Sequence, residues 1–126
     1  MLKLNFVHVC EQAFVSEYGL PNIIGIFSRI RAVSLPAKRN NISLVLNFAP
    51  GDEKKHTVLV KLRTPNGKYI FEKKGDIGPV ASTDQNLGLV LNLQNLKLEE
   101  AGIYTFEVNV DNNKVAEPTF TLTVEQ

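Results

Sequence analysis

The sequence predicts an all-β protein, folded as an antiparallel two-layer sandwich of about eight strands. Apolar residues recur at every second position over much of the chain, which is the period of strands that are buried on one face. Turn-forming residues separate these runs, and the dominance of the two-residue period leaves no helix of consequence. The length of 126 residues is common for one domain, so a single sandwich domain is predicted over residues 1–126.

The alternation defines the predicted strands one after another along the chain. The clearest run has a leucine at each of positions 87, 89, 91 and 93, with smaller or polar residues between them. Pro118 has no N–H to donate to a neighbouring strand, so the last strand is expected to begin after it or to lie at an edge. The predicted strands are residues 6–15, 23–33, 44–48, 58–64, 69–73, 87–94, 103–110 and 115–124.

Turn chemistry falls between these strands. Asn66 and Gly67 form the dipeptide that most readily makes a tight hairpin, here between residues 58–64 and 69–73. Residues 111–114 supply the turn before the last strand. Residues 74–86 are the longest irregular segment, and long loops carry function more often than short ones.

The alternating faces also predict the core and the edges of the sheets. Terminal strands often lie at sheet edges, so residues 2–9 and the strand after Pro118 are the expected edges, where a second chain could pair. The residues expected to be buried together are Leu89, Leu91, Tyr104, Phe106, Val108, Phe120 and Leu122.

Composition and charge exclude several classes of function. Apolar residues make up 44% of the chain and charged residues 21%, as in ordinary globular proteins, and no segment approaches the ~20 apolar residues of a membrane span. The net charge is +1, so no overall field attracts nucleic acid or an anionic membrane. The charge is uneven along the chain, because residues 1–80 contain twelve Lys/Arg and six Asp/Glu, whereas residues 81–126 contain two and seven.

The single cysteine bears on the compartment. Cys10 cannot form an internal disulfide, so an apolar core must hold the sandwich together. Asn5 and His8 interrupt the apolar N-terminal segment, Glu11 ends it, and no small-residue cleavage site follows, so no signal peptide is expected. A cytoplasmic protein is predicted.

One short motif narrows the fold. Glu100, Gly102 and Tyr104 occupy the positions of an acidic residue, a small residue and a tyrosine at the corner before the penultimate strand of immunoglobulin-like sandwiches, which this stretch resembles. A buried tyrosine needs a partner for its hydroxyl, and a backbone group at the corner supplies one. Phe106 stands where a disulfide-bonded member of that class would have a cysteine, so apolar packing is expected to replace the bridge.

A second resemblance extends over nearly the whole chain. The run Ile-Ile-Gly-Ile-Phe-Ser-Arg-Ile at residues 23–30, followed by Pro36, is similar to the opening of a family of short bacterial proteins of unknown function. The strand with Gly102, Tyr104, Phe106 and Val108 near the end of the chain fits the same family. This resemblance implies an uncharacterised bacterial domain and implies no chemistry.

No residue pattern predicts catalysis, a metal or a cofactor. His8 and Cys10 share one face of a strand, but their apolar neighbours favour a buried, inert thiol over a nucleophile. The two histidines, His8 and His56, lie too far apart in sequence for a paired zinc motif. Acidic residues are scattered without the alternating ligands of a calcium loop, and residues 75–78 lack the Lys-Ser/Thr of a phosphate-binding loop. The chain is therefore not expected to be an enzyme.

One predicted surface combines positive charge with an aromatic ring. If Ile24, Ile26 and Ile30 face the core, and if residues 23–33 and 58–64 form neighbouring strands, four cations and one phenylalanine share an outer face. Arginine and aromatic residues are enriched at interfaces, so this face is a candidate docking surface for an acidic protein. Single-stranded nucleic acid fits less well, because stacking platforms need several aromatic rings. The five residues are Phe27, Arg29, Arg31, Lys61 and Arg63.

Three classes of function remain, in order of preference. The first is a non-enzymatic interaction or assembly module that binds a protein, or a second copy in a homodimer, through a sheet edge or outer face. The second is a small-ligand or glycan binder that uses the loop at residues 74–86, with Tyr18, Tyr69 and Phe71 as the available platforms. The third is an enzyme of unrecognised type, which predicts a deep polar pocket.

Overall fold

A computed structural model of the chain describes residues 3–16, 20–49, 54–77 and 86–125. Ten strands make up the regular structure of these residues. Within these ranges there is no helix. The described residues therefore contain no helix that is long and apolar enough to cross a membrane. The strands are β1 (Leu4–Val15), β2 (Pro21–Ile26), β3 (Arg29–Ala32), β4 (Ala37–Phe48), β5 (His56–Arg63), β6 (Tyr69–Ile77), β7 (Leu87–Leu98), β8 (Gly102–Val110), β9 (Asn113–Ala116) and β10 (Thr119–Val124).

The strands form two sheets that pack face to face. The four-stranded sheet has the order β2-β1-β4-β7, and the six-stranded sheet has the order β3-β10-β8-β5-β6, with β9 paired to β8. All pairings are antiparallel except that between β3 and β10, which is parallel. The predicted all-β, two-layer sandwich is therefore confirmed.

The predicted strand at residues 23–33 is two strands that belong to different sheets. The N–H of Phe27 donates to Val9 O at 3.1 Å in the four-stranded sheet, whereas Ser28 O accepts from the N–H of Thr121 at 2.9 Å in the six-stranded sheet. The chain thus crosses between the layers at this point. The crossing resets the inside–outside alternation, so Ile30 is buried while Ile24 and Ile26 are 50% and 60% exposed, contrary to the expectation that all three face the core.

The predicted strand at residues 115–124 is also divided. β9 and β10 both pair with β8, and the stretch between them remains attached through a hydrogen bond from the N–H of Phe106 to Pro118 O at 2.8 Å. β10 begins after Pro118, as predicted. Because a proline cannot donate a backbone hydrogen bond, the ladder is interrupted where it stands.

The expected edge strands are wrong. β1 lies between β2 and β4, and β10 lies between β3 and β8. Neither terminal strand is therefore an edge in the described part of the chain. In the described residues, the edges are β2 and β7 in one sheet and β3, β6 and the short β9, which pairs only with β8, in the other.

The core between the sheets is built on aromatic packing. The ring of Tyr104 is stacked on that of Phe120, with centroids 5.1 Å apart, and Phe106 packs beside them at 6.2 Å from Phe120. Of the seven predicted core residues, the five on β8 and β10 are fully buried. Leu89 and Leu91 are only partly buried, because β7 is an edge strand whose side chains are covered from one direction only.

The predicted tyrosine corner is present. The hydroxyl of Tyr104 donates to Glu100 O at 2.7 Å. Gly102 has a φ of +129°, and a Cβ there would lie 2.9 Å from the Pro65 ring, so the position requires glycine for both reasons. This corner and the two-sheet topology give the domain its immunoglobulin-like form.

A second apolar cluster lies on the face of the four-stranded sheet that is turned away from the core. Cys10, Ala13 and Val45 are buried there beneath partly buried neighbours, so β4 is covered on both faces. The prediction of a buried thiol is confirmed. The single S–H of Cys10 has two carbonyl acceptors within reach, Gln12 O at 3.4 Å and Ser43 O at 3.7 Å, and burial raises the pKa of the thiol above its ordinary value.

Candidate binding site

A groove of about 420 Å³ opens along the side of the sandwich where the chain crosses from β2 to β3. The edge strands of both sheets border it, together with β1 and the first half of β4. Three arginines and one glutamate give it a formal charge of +2. Its lining consists of Glu11, Gln12, Ile24, Phe27, Arg29, Ile30, Arg31, Arg39, Asn40, Asn41 and Ile42.

The three arginines are held in different ways. The guanidinium of Arg39 donates to Arg31 O at 3.3 Å and to Lys38 O at 3.2 Å, so the backbone fixes its position. Arg31 forms an ion pair with Glu125 at 3.6 Å, but both side chains are mostly exposed, so this pair contributes little to stability and holds Arg31 only weakly. Arg29 has no carboxylate within 4.0 Å among the described residues. The groove therefore offers positive charge that the described residues neutralise only in part.

The floor of the groove is apolar. Ile30 and Ile42 are core residues, and the ring of Phe27 meets that of Phe120 edge-on with centroids 5.8 Å apart. Ile24, which is half exposed, extends this surface toward the mouth. An apolar floor beneath cationic walls suits a segment in which acidic and apolar side chains are interspersed.

Carboxamides continue the site onto the four-stranded sheet. Asn41 donates to Glu11 O and to Ser43 Oγ, both at 2.9 Å, and Ser43 donates to Asn92 Oδ1 at 2.5 Å. A shallower polar hollow of about 340 Å³ adjoins the groove and shares Glu11, Gln12 and Asn41 with it. The arrangement supplies hydrogen-bond donors and acceptors beside the cationic groove.

Gly25 lies against Glu11, a residue that both hollows share. Its φ is +71°, and a Cβ at this position would lie 2.9 Å from Cγ and Cδ of Glu11. The glutamate side chain therefore rests on the glycine. A larger residue would displace Glu11 and change the charge at the groove mouth.

The structure brings together only part of the predicted interaction face. Phe27, Arg29 and Arg31 line the groove, but the phenylalanine is partly buried against the core instead of standing on an outer face. Lys61 and Arg63 are elsewhere, because β10 and β8 lie between β3 and β5. The expectation of neighbouring strands is therefore wrong.

The other two cations of that face belong to a separate cluster around Glu107. Arg63 contacts this carboxylate at 2.7 Å, and the hydroxyl of Tyr69 donates to it at 2.9 Å. The ammonium of Lys61 lies 5.1 Å from the centre of the Tyr69 ring, which is cation–π geometry. Because Glu107 is 9% exposed, the cluster compensates a nearly buried charge and leaves less of the positive charge for a partner.

Sequence reasoning did not select Arg39 for the groove. The sequence contains a usable signal, since Lys38, Arg39, Asn40 and Asn41 form a polar run directly before the apolar strand at residues 42–48. That this run faces Arg29 depends on the sheet crossing, which alternation alone does not indicate.

The alternative site at residues 74–86 receives little support from the described residues. Lys74–Ile77 is strand and not loop, because these residues end β6. Residues 78–85 and Tyr18 lie outside the described residues. Of the other expected platforms, Phe71 packs against the core and Tyr69 is bound to Glu107.

The remaining titratable side chains form no recognisable catalytic group within the described ranges. No cluster of three or more His, Cys, Asp or Glu side chains there could hold a metal ion. His56 Nδ1 lies 2.6 Å from Asp111 Oδ2, and Asp111 Oδ1 accepts from the N–H of Thr57 at 3.0 Å. This contact ties the start of β5 to the turn after β8.

Taken together, the two sheets, the tyrosine corner and the lateral groove define an immunoglobulin-like β-sandwich domain with a cationic side opening. The chain belongs to a family of unknown function, DUF6941, whose sequence model matches residues 5–123. A search of curated proteins finds no relative that matches the chain.

Solved structures resemble the fold at low sequence identity. An alkylpurine DNA glycosylase AlkC from Pseudomonas fluorescens, bound to DNA with an abasic-site analogue, matches with a TM-score of 0.52 and 14% identity over 98% of this chain and 30% of its own. A β-glucosidase from Listeria innocua, in complex with glucose, matches with a TM-score of 0.51 and 8% identity over 97% of this chain and 16% of its own. This chain thus spans less than a third of either enzyme, and the likeness concerns the fold alone.

A smaller structure matches over nearly its whole length. An immunoglobulin-like protein, PA1606, from Pseudomonas aeruginosa has a TM-score of 0.49 and 16% identity, and the match covers 98% of this chain and 97% of that one.

Proposed function

We propose that this domain is a non-enzymatic interaction module that binds an acidic segment of a protein partner in the arginine groove. The observation that supports this is the placement of Arg29, Arg31 and Arg39 around one apolar-floored groove, with Glu11 as its single acidic residue. Carboxylates match the planar guanidinium fork, and such pairs are stronger than ordinary hydrogen bonds.

The arginine side chains are partly fixed before a ligand binds, so the site is partly preorganised. Arg39 is already held by two backbone oxygens, so less side-chain freedom is lost when a carboxylate binds to it. Arg29 has no carboxylate partner among the described residues. A carboxylate that binds to it therefore replaces water and does not break an existing ion pair. Because the sites are exposed to solvent, we expect micromolar affinity and strong weakening by salt, as the Debye length falls from about 10 Å at 0.1 M to about 3 Å at 1 M.

A protein segment fits this groove better than a nucleic acid. Phosphate backbones are held by extended basic surfaces, whereas the net charge here is +1 and the cations of the six-stranded sheet are partly compensated by Glu107. The glycosylase that shares the fold is bound to DNA, so nucleic acid is included as an arm of the test.

The proposal is tested by fluorescence anisotropy with three labelled probes, namely hexaglutamate, hexaglutamine and a ten-nucleotide oligothymidylate. Hexaglutamate is expected to bind and hexaglutamine is not. The double variant Arg29→Gln/Arg39→Gln should lose at least about tenfold in affinity, which corresponds to about 1.4 kcal/mol.

The matched control is Lys61→Gln/Lys74→Gln, which removes two positive charges from the outer face of the six-stranded sheet. It should change the affinity for hexaglutamate by less than about twofold. An equal loss in both double variants would mean that overall charge, and not the groove, attracts the peptide. Tighter binding of oligothymidylate than of hexaglutamate would indicate that the ligand is a nucleic acid and not an acidic protein segment.

A further inference from the structure

The side of the sandwich opposite the arginine groove is bordered by β7 of the four-stranded sheet and β6 of the six-stranded sheet. A small, mostly apolar hollow of about 80 Å³ opens between them. Leu89 and Leu91 form its β7 wall and remain only partly buried, although they face the core. Among the described residues, the core is thus incompletely closed along this edge.

β7 is protected as an edge strand only near its end, where Asn95 has a φ of +55° and Lys97 adds a charge. It contains twelve residues, pairs only with β4 in the described part of the chain, and has neither a charge nor a proline before Lys97. Long, flat, uncharged edges present a row of unpaired backbone groups to any other strand.

The other edges are protected, and the contrast is clearest with β6 on the same side. β6 has charged residues at positions 72, 73, 74 and 76, and Lys73 is opposite the buried Val60, so it points toward the core side of its strand. An inward-pointing charge is a recognised protection against strand addition. β2 begins with Pro21, β3 has four residues of which two are arginines, and β9 has four residues that include Lys114.

We propose that β7 pairs antiparallel with β7 of a second copy of this chain around a twofold axis. A twofold contact places the same strand on both sides, so every attractive feature of the edge is used twice. Residues 87–96 are uncharged, so no like charges oppose each other there in any register of the pairing. A foreign acidic or basic strand would find no complementary charge in this stretch.

The burial that such a pairing offers is that of a weak, reversible dimer. In a ladder centred on Leu91, residues 87–95 of the two copies pair, and this length of strand is about 30 Å. With the side-chain layers on both faces, a strip roughly 15 Å wide gives about 450 Å² per copy, or ~900 Å² in total, which is the size of a transient interface. Leu89 and Leu91 of one copy would continue into the same leucines of the other and close the open hollow.

The proposal is tested with the double variant Gly88→Lys/Gln94→Lys. A Cβ at Gly88 meets no atom within 4 Å, and Gln94 is exposed, so both lysines can be accommodated in the folded chain. In a ladder centred on Leu91, residue 88 of one copy is opposite residue 94 of the other, so the lysines repel. The control, Thr119→Lys, adds a lysine at an exposed position of an internal strand in the other sheet.

Light scattering at about 50 µM should give the mass of a dimer for the wild type and for Thr119→Lys, and the mass of a monomer for the double variant. Hydrogen exchange of the wild type alone is a second test, because dilution should increase the exchange of β7 amides and leave those of β8 unchanged. A monomeric wild type, a double variant that stays dimeric, or β7 exchange independent of dilution would overturn the proposal.

Discussion

The hydroxyl of Tyr104 donates a 2.7 Å hydrogen bond to the backbone oxygen of Glu100 and closes the corner that leads into β8. The same ring is stacked on Phe120, so one side chain joins the corner to the strand that pairs with β8. The lateral groove depends on this frame, because β10 also holds β3, on which Arg29 and Arg31 lie.

Replacing Tyr104 by phenylalanine should keep the stacking and lose the hydrogen bond. We expect Tyr104→Phe to lower the free energy of unfolding by about 1–2 kcal/mol, because the Glu100 carbonyl loses its partner at a partly buried corner. Chemical denaturation monitored by circular dichroism measures the change. A loss below about 0.3 kcal/mol would show that the hydroxyl is not needed at the corner.

Stability should decrease in alkaline solution. Burial raises the pKa of the Cys10 thiol and of the Tyr104 phenol above their ordinary values of 9.0 and 10.0. Above pH 9 the unfolded chain therefore releases protons that the folded chain keeps, so this contribution to stability is complete below pH 9 and is lost as the pH rises. Urea midpoints between pH 8 and 10.5 should decline less in Cys10→Ala/Tyr104→Phe than in the wild type, and parallel declines would contradict the assignment.

Two leucines of β7 should differ in their contribution to stability. Leu93 is 3% exposed, so Leu93→Ala should cost about 2–5 kcal/mol. Leu91 is only partly buried, so Leu91→Ala in the monomer should cost about 1–2 kcal/mol, since less apolar area is lost. Denaturation of both variants at low protein concentration makes the comparison, and the reverse order would mean that the register of β7 is shifted.

Local patterns predicted much of the sandwich, since alternation and turn residues are properties of short segments. The corner at Glu100, Gly102 and Tyr104 was predicted correctly for this reason. The division of residues 23–33 was not, because the crossing at Phe27 and Ser28 depends on which strand accepts each backbone group. The alternation of apolar and polar residues shows that a strand has two different faces, but it does not show which sheet the strand joins.

The candidate site was predicted only in part for the same reason. Arg29 and Arg31 were correctly placed on a solvent-facing side, but the cation that shares their groove is Arg39 of β4 and not Lys61 of β5. Strand order decides which distant residues meet, and edge positions follow from the same order. The long uncharged run of β7 is visible in the sequence, whereas its position at an edge is not.

We have proposed that an acidic segment binds in the groove around Arg29, Arg31 and Arg39. The most direct measurement is a heteronuclear NMR titration of the labelled domain with hexaglutamate. We expect shift changes concentrated in β3, in residues 38–42 and at Gly25, with the outer face around Glu107 unaffected. Changes centred on Lys61 and Arg63, or spread evenly over the cationic side chains, would show that the peptide does not bind in the groove.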